Sequence, residues 1–414
     1  MKARLTDRWI YIIAVINAVL LICIWGVFPI SCWDSTTYIN AWDNSLSQGR
    51  IDFIRTPVYP IFIGIIKFLF NSHYLLATII IQHLIFIVSI YYFKEILLWK
   101  IKSRQIVNWM TIVYILIPAT STWANCILTE SLTMSFIVFL IYCICTFQQK
   151  AHIQYVLYIT LWLFLLIFIR PACLYLIVAL TITWFFFFKH HRKLAIFGLC
   201  GIILVGVLEI GYCFKFKNEF GQFTPSSVST MNQTFIAFNA GLMKSSYTNI
   251  PEYKEYIEKN NNKEISMAEP IVLFGLTTVH ESILASKKEQ PFLWFKQIIA
   301  HFRDSTKISI IAADYGSNIL REILSINMNI LYIFLVIYLL AIIYLTVKRR
   351  HIYIFSSIIW ITCFGNVLLV IFGAQSEWNR LILPSMPLIL IMFGQALNYI
   401  KLDINEFTKK TDIE

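Results

Sequence analysis

The strongest constraint on this chain is the recurrence of apolar stretches long enough to cross a lipid bilayer. A spanning helix needs about 20 mainly apolar residues. Hydropathy marks about ten candidates, near 9–30, 75–98, 106–121, 126–147, 154–169, 171–188, 194–214, 328–347, 352–373 and 381–400. In hydrocarbon the backbone finds no water, so such stretches fold as helices that satisfy their own N–H and C=O groups. The expected fold class is therefore all-α integral membrane. Composition agrees, with 14% charged residues among the 414 against about 25% in an ordinary soluble domain.

The formal charge of +11 is placed topologically, in short clusters between the apolar stretches. One set holds Lys2, Arg4 and Arg8; Lys100, Lys102 and Arg104; Lys150; Lys189, Arg192 and Lys193; Lys348, Arg349 and Arg350; and Lys401, Lys409 and Lys410. These fall in every second connection, which places both termini on the cytoplasmic side. No basic helix or aromatic-basic platform argues for nucleic acid. The run from Trp9 to Ile30 is too long and too bulky at its end for a cleaved signal peptide, so it reads as an uncleaved first span.

The chain divides into 1–214, spans with a first outer loop at 31–74; 215–327, an extracytoplasmic segment with helical patterns; and 328–414, further spans with a short cytoplasmic tail. In the first loop, Ile39 to Gln48 is amphipathic and Val58 to Phe70 is apolar but short, which predicts juxtamembrane helices at the interface. No internal repeat supports an inverted-repeat transporter. Of the nine cysteines most lie in apolar runs, where they act as small hydrophobes. Their odd number and the lack of C-x-x-C argue against zinc or a disulfide framework; Cys32 and Cys126 are able to meet at the outer surface but read as unpaired.

Charge is scarce at the outer boundary, so the residues that carry it are informative. Arg55, Arg170 and Arg380 all fall there. Singly, each reads as snorkelling or as paired with an acid. Together, beside acids, they suit an anion, and lipid phosphate arrives at that depth. Asp34 is the first acid after span one, and Glu130 opens span four, where a helix N-terminus favours a carboxylate. Glu209 is an intramembrane acid and therefore a flagged position. His83, beside Gln82, reads as an interhelical hydrogen-bonding residue; Asp43 and Asp52 read as facing water, and Asp304 and Asp314 as weak candidates. There is no phosphate-binding P-loop, dinucleotide fingerprint, H-E-x-x-H or G-x-S-x-G. The first loop has no D-x-D, so neither a metal nor any other cofactor is indicated.

Asp34, Gly49 and Arg55-Thr56-Pro57-Val58-Tyr59-Pro60 resemble the GT-C superfamily, specifically the bacterial family-39-like (protein-mannosyltransferase/aminoarabinose-transferase-like) polyprenyl-phosphate-sugar transferases. Leu128-Thr129-Glu130-Ser131-Leu132, Ile169-Arg170-Pro171 and Arg380-Leu381-Ile382-Leu383-Pro384 fit the same pattern. The resemblance covers about 1–214 and 328–400 and leaves 215–327 unmatched. It implies a GT-C-like bundle in a bacterial cytoplasmic (inner) membrane, with its site facing outside. It also implies a first-loop catalytic acid, Asp34, and an arginine, Arg55, facing the carrier phosphate. Some members carry an Asp-Glu pair in this loop; here Ser35 follows Asp34, so a second carboxylate must come from Glu130.

The expected reaction is inverting transfer of a sugar from a polyprenyl-phosphate-linked donor to an unidentified glycan, lipid or protein acceptor. Asp34 and Glu130 are the catalytic candidates; Arg55, Arg170 and Arg380 are the phosphate candidates. Trp33, Tyr38 and Tyr59 are candidates to line the substrate cavity. The remaining partners are membrane lipids. The rival readings are an envelope polysaccharide polymerase and a flippase or transporter without chemistry.

Overall fold

The computed structural model describes residues 8–25, 33–304, 307–309, 325–349, 353–373 and 381–411. Helices occupy all ten apolar stretches: α1 (Arg8–Trp25), α4 (Tyr74–Lys100), α5 (Arg104–Leu116) with the short α6 (Pro118–Ser121), α7 (Glu130–Lys150), α8 (Ile153–Ile169), α9 (Tyr175–Phe188), α10 (Arg192–Phe220), α16 (Met328–Arg349), α17 (Ile354–Gly373) and α18 (Met386–Thr411). The first connection adds α2 (Trp33–Gln48) and α3 (Val58–Phe70).

Among the described residues, six helices are long and apolar enough to cross a membrane, or up to seven if the bent pair Arg104–Leu116 and Pro118–Asn125 is one crossing. Three apolar helices, Arg8–Ile24, Ile153–Ile169 and Ile354–Val370, are shorter. Pro118 causes the bend, because it holds Ile117 in an extended conformation (ψ 124°) and ends α5 there.

The most buried helix of the bundle is α7, with 89% of its apolar window covered, whereas α16 has 17% covered and forms a rim. Helices α4, α8 and α18 pack against α7, while α10 lies against α8 and α9. Where α10 crosses its neighbours, Gly198 faces the Trp184 indole and Gly201 faces Thr160. Small residues let apolar helices approach this closely.

The two helices of the first connection pack against each other and against the bundle. Val58–Lys100 is helical almost throughout, yet it is not one rod. The Tyr59 hydroxyl donates to Gln82 Oε1 at 2.7 Å, whereas a straight helix would hold these residues about 34 Å apart. The chain turns back at Asn71, whose φ is +46°, and α3 packs along α4. Contacts between α2 and α3 advance together, from Asp34–Arg55 through Tyr38–Tyr59 and Trp42–Gly64 to Asp43–Lys67. The two helices therefore run parallel, and residues 49–57 form the return.

A second core joins Phe216 of α10 to α11 (Val228–Asn239), α12 (Pro251–Asn260), α13 (Glu269–Phe274), α14 (Leu276–Glu289) and Trp294 of α15 (Pro291–Asp304). The return segment is tied to it by Phe53, which packs on Phe216 and Phe220. The Ser227 N–H and hydroxyl both donate to the Phe53 carbonyl, at 3.1 and 2.9 Å. Among the described residues two short strands are not helical. β1 (Lys307–Ser309) pairs antiparallel with β2 (Ser325–Asn327).

Candidate active site

Asp34 lies in the first turn of α2, where the helix dipole favours a carboxylate. The Thr37 hydroxyl donates to the Asp34 carbonyl at 2.8 Å. Arg55 is aimed at Asp34 by a local turn. Asp52 Oδ1 accepts from the Ile54 and Arg55 N–H groups at 2.8 and 2.7 Å, an Asx-type closure. Asp52 is thus a turn-forming residue, half-buried on the return segment.

The Arg55 guanidinium forms an ion pair with Asp34, donates Nε–H to Thr37 Oγ1 at 2.7 Å and lies 4.0 Å over the Tyr38 ring. Tyr38 meets Tyr59 edge-on at 5.0 Å. The Asp34 side chain is 28% exposed and that of Arg55 is 9%, so the acid is the member that solvent or an acceptor can reach.

Glu130 opens α7 and is buried, with Arg170 Nη1 3.4 Å from its Oε1. Arg170 is extended at the end of α8, and Pro171 starts the turn into α9. Tyr59 meets Tyr38 edge-on and donates to Gln82, which in turn holds the Cys126 carbonyl four residues ahead of Glu130. The structure therefore brings Asp34, Arg55, Tyr38 and Tyr59 together and pairs Glu130 with Arg170. The Trp33 backbone begins α2, and its side chain, like Arg380, lies outside the described residues.

Sequence reasoning passed over Gln82. It is fully buried, accepts from Tyr59, and donates to the carbonyls of Ala124 and Cys126 at 3.0 and 2.8 Å. It thereby fixes the segment leading into Glu130. Its neighbour His83 bonds Asn125, whose Nδ2 donates to the Leu21 carbonyl at 3.0 Å; this is the interhelical role expected of it. Glu209 is buried, and both its carboxylate oxygens lack a hydrogen-bond partner among the described residues. Cys126 is buried, while Cys32 and Asp314 lie outside the described residues. No group of three or more metal-ligating side chains occurs among the described residues.

No protein-family model matches the sequence, and no curated protein matches it. Solved structures do match. The archaeal oligosaccharyltransferase AglB from Archaeoglobus fulgidus, in complex with an inhibitory peptide and a dolichol-phosphate, aligns with 99% of this chain and 52% of its own, at a TM-score of 0.52 and 12% identity. The apo oligosaccharyltransferase of Archaeoglobus fulgidus aligns with 97% of this chain and 52% of its own (TM-score 0.51, 11% identity). The form tethered through a disulfide bond to an acceptor peptide containing the NVT sequon covers 96% and 50% (TM-score 0.51, 10% identity). This chain thus spans about half the length of the solved chains it matches. The fold is the one these oligosaccharyltransferase structures share, and six or up to seven of the described helices are long and apolar enough to cross a membrane. At this identity the likeness concerns the fold.

Proposed function

We propose that the protein is a membrane glycosyltransferase that takes its sugar from a polyprenyl-phosphate-linked donor, on the extracytoplasmic face, with inversion. The observation that carries this reading is the contact between Asp34 and Arg55. It sets a proton acceptor beside an oxyanion stabiliser in a fold shared with an enzyme solved with a dolichol-phosphate. Ten crossings, both termini in the cytoplasm of a bacterium and the family-39-like subtype belong to the same proposal.

In this reading an acceptor hydroxyl attacks the anomeric carbon as Asp34 takes its proton. General-base help of this kind contributes about 10²–10⁴-fold. The bond from the anomeric carbon to the phosphate oxygen breaks, and its electron pair stays on the carrier phosphate. Arg55 meets that charge once donor binding turns its guanidinium from Asp34, which also frees the carboxylate. Arg170 lies 3.4 Å from Glu130 and is a second phosphate candidate, with Glu130 orienting the acceptor. Arg380 remains a phosphate candidate, and no metal is required in this scheme.

Whole-oligosaccharide transfer is the second reading, favoured by the likeness to oligosaccharyltransferases. The test offers purified protein a panel of polyprenyl-phosphate monosaccharides and lipid-linked oligosaccharides, reading thermal stabilisation and product size. A donor that binds the folded state raises apparent stability by mass action. Stabilisation by a monosaccharide lipid with a one-sugar product supports the first reading, and an oligosaccharide product the second. A silent panel, or movement of an unchanged lipid-linked sugar across the bilayer, overturns both.

A further inference from the structure

Helix α15 joins the two cores. Its Trp294 is buried in the second core and donates Nε1–H to Ser286 Oγ at 2.9 Å. Its Ile298 packs on the core of the bundle, and the helix touches α17. The face left open is not polar. Phe292 is 75% exposed, Phe295 53% and Ile299 43%. At about 100° per residue these three fall within about 60° of one another around the helix. Lys296, also exposed, stands beside them. Two phenylalanines and an isoleucine gathered on one open face mark a contact surface, unlike single apolar residues scattered over a protein.

The level of this stripe identifies its partner. Arg192 belongs to a basic cluster assigned to the cytoplasmic side, and α10 enters the second core at Phe216. From Arg192 to Phe216 that helix rises about 36 Å, against about 30 Å of bilayer hydrocarbon. The second core therefore begins at the outer edge of the hydrocarbon, and α15, which ties that core to the bundle, lies there too. We infer that α15 is an interfacial helix laid on the outer leaflet, with Phe292, Phe295 and Ile299 among the lipid chains and the Lys296 ammonium at the lipid phosphates. An apolar stripe flanked by a cation binds a lipid surface in this way, and a lysine stem covers apolar surface while its charge stays wet. This docking lies outside the proposed reaction and depends only on the bundle crossing a membrane. It seats on lipid the unit that holds the return segment through Ser227 and Phe53.

The experiment introduces an environment-sensitive fluorescent amino acid, by codon suppression, in place of Phe292, Phe295 or Ile299 in the full chain in phosphatidylcholine nanodiscs. Ile333, exposed on α16, is the lipid reference, and Glu255, exposed on α12, is the water reference. Lipids brominated on the acyl chain are expected to quench all three α15 probes as they quench the probe at Ile333, while aqueous iodide spares them. Iodide quenching like that at Glu255, with the Ile333 probe still quenched by brominated lipid, would overturn the docking of α15 and leave the bundle in its membrane. Quenching by neither agent would show that protein covers this face and would overturn the lipid assignment. Iodide quenching at Ile333 as well would overturn the membrane reading of the bundle itself.

Discussion

The Arg55 guanidinium is shared between the Asp34 carboxylate at one edge and the Tyr38 ring beneath its face. A group held on both sides in this way arrives at its position with little freedom left to lose. The pair also keeps the guanidinium aimed at the acid. Asp34→Asn keeps the shape and the hydrogen-bond reach but not the basicity. The variant is expected to fold and bind donor while transfer falls about 10²–10⁴-fold, read by product formation alongside donor binding. Arg55→Gln is expected to weaken both, and Arg55→Lys to recover only part, because an ammonium lacks the fork. Near-normal turnover by Asp34→Asn would remove it from the role of base.

Glu130 and Arg170 are both buried, so either alone is a liability. Removing one partner of a buried pair typically costs about 3–5 kcal/mol, whereas an apolar replacement of both is far milder. Glu130→Gln should therefore lower thermal stability in detergent clearly. Glu130→Leu with Arg170→Met should restore much of it. Activity separates the roles: a stable double variant that remains inactive assigns Glu130 to the reaction, and one that recovers transfer makes the pair purely structural.

The helices of the bundle were readable because apolar length is a one-dimensional signal. The return of α3 onto α4 was not. It turns at Asn71, a residue that tolerates positive φ, with neither glycine nor proline at the turn itself to mark it. Asp34, Arg55, Glu130 and Arg170 stood out by being charged where charge is rare, but their pairing needs three dimensions. The part Asp52 plays in the turn was not legible either, because nothing in the sequence shows which loop acid accepts from backbone N–H groups. Gln82 did carry a signal, a polar side chain inside an apolar span, and it was passed over for the histidine beside it.

Gly64 lets the Trp42 indole lie flat on α3, and a Cβ at that position would fall inside the ring. Overpacking of this kind costs about 1–3 kcal/mol. Gly64→Ala should push α2 outward, and Asp34 with it, lowering both stability and transfer. Combining it with Trp42→Ala should cost less than the sum of the two single changes, since neighbouring sites are not additive. Strict additivity in thermal unfolding would mean that α2 is not seated on this glycine.

Gln82 satisfies three groups, so its loss is harder to absorb than that of Tyr59. Gln82→Leu takes the Gln82 partner from the Tyr59 hydroxyl and the Ala124 carbonyl, while the Cys126 carbonyl keeps the Leu128 N–H; each buried group left unpaired costs about 1–3 kcal/mol. Tyr59→Phe removes one hydroxyl and leaves the two carbonyl bonds in place. The expected order of stability is wild type, then Tyr59→Phe, then Gln82→Leu, measured by thermal unfolding. A Gln82→Leu protein as stable as wild type would show that the segment before Glu130 is held by other contacts.

His280, in α14, sits 3.4 Å from the Thr230 hydroxyl of α11. Burial lowers its pKa below the ordinary 6.5, the Lys287 cation lowers it further, and Glu281 opposes them. The unfolded chain therefore takes up this proton first as pH falls. The contribution to stability is complete above about 6.5 and is lost as pH drops from there through the folded value. His280→Gln keeps a polar side chain without a titrating group, so its thermal unfolding should depend less on pH between about 6.5 and 5. A variant whose acid-side slope matches the wild type would place that sensitivity elsewhere in the chain.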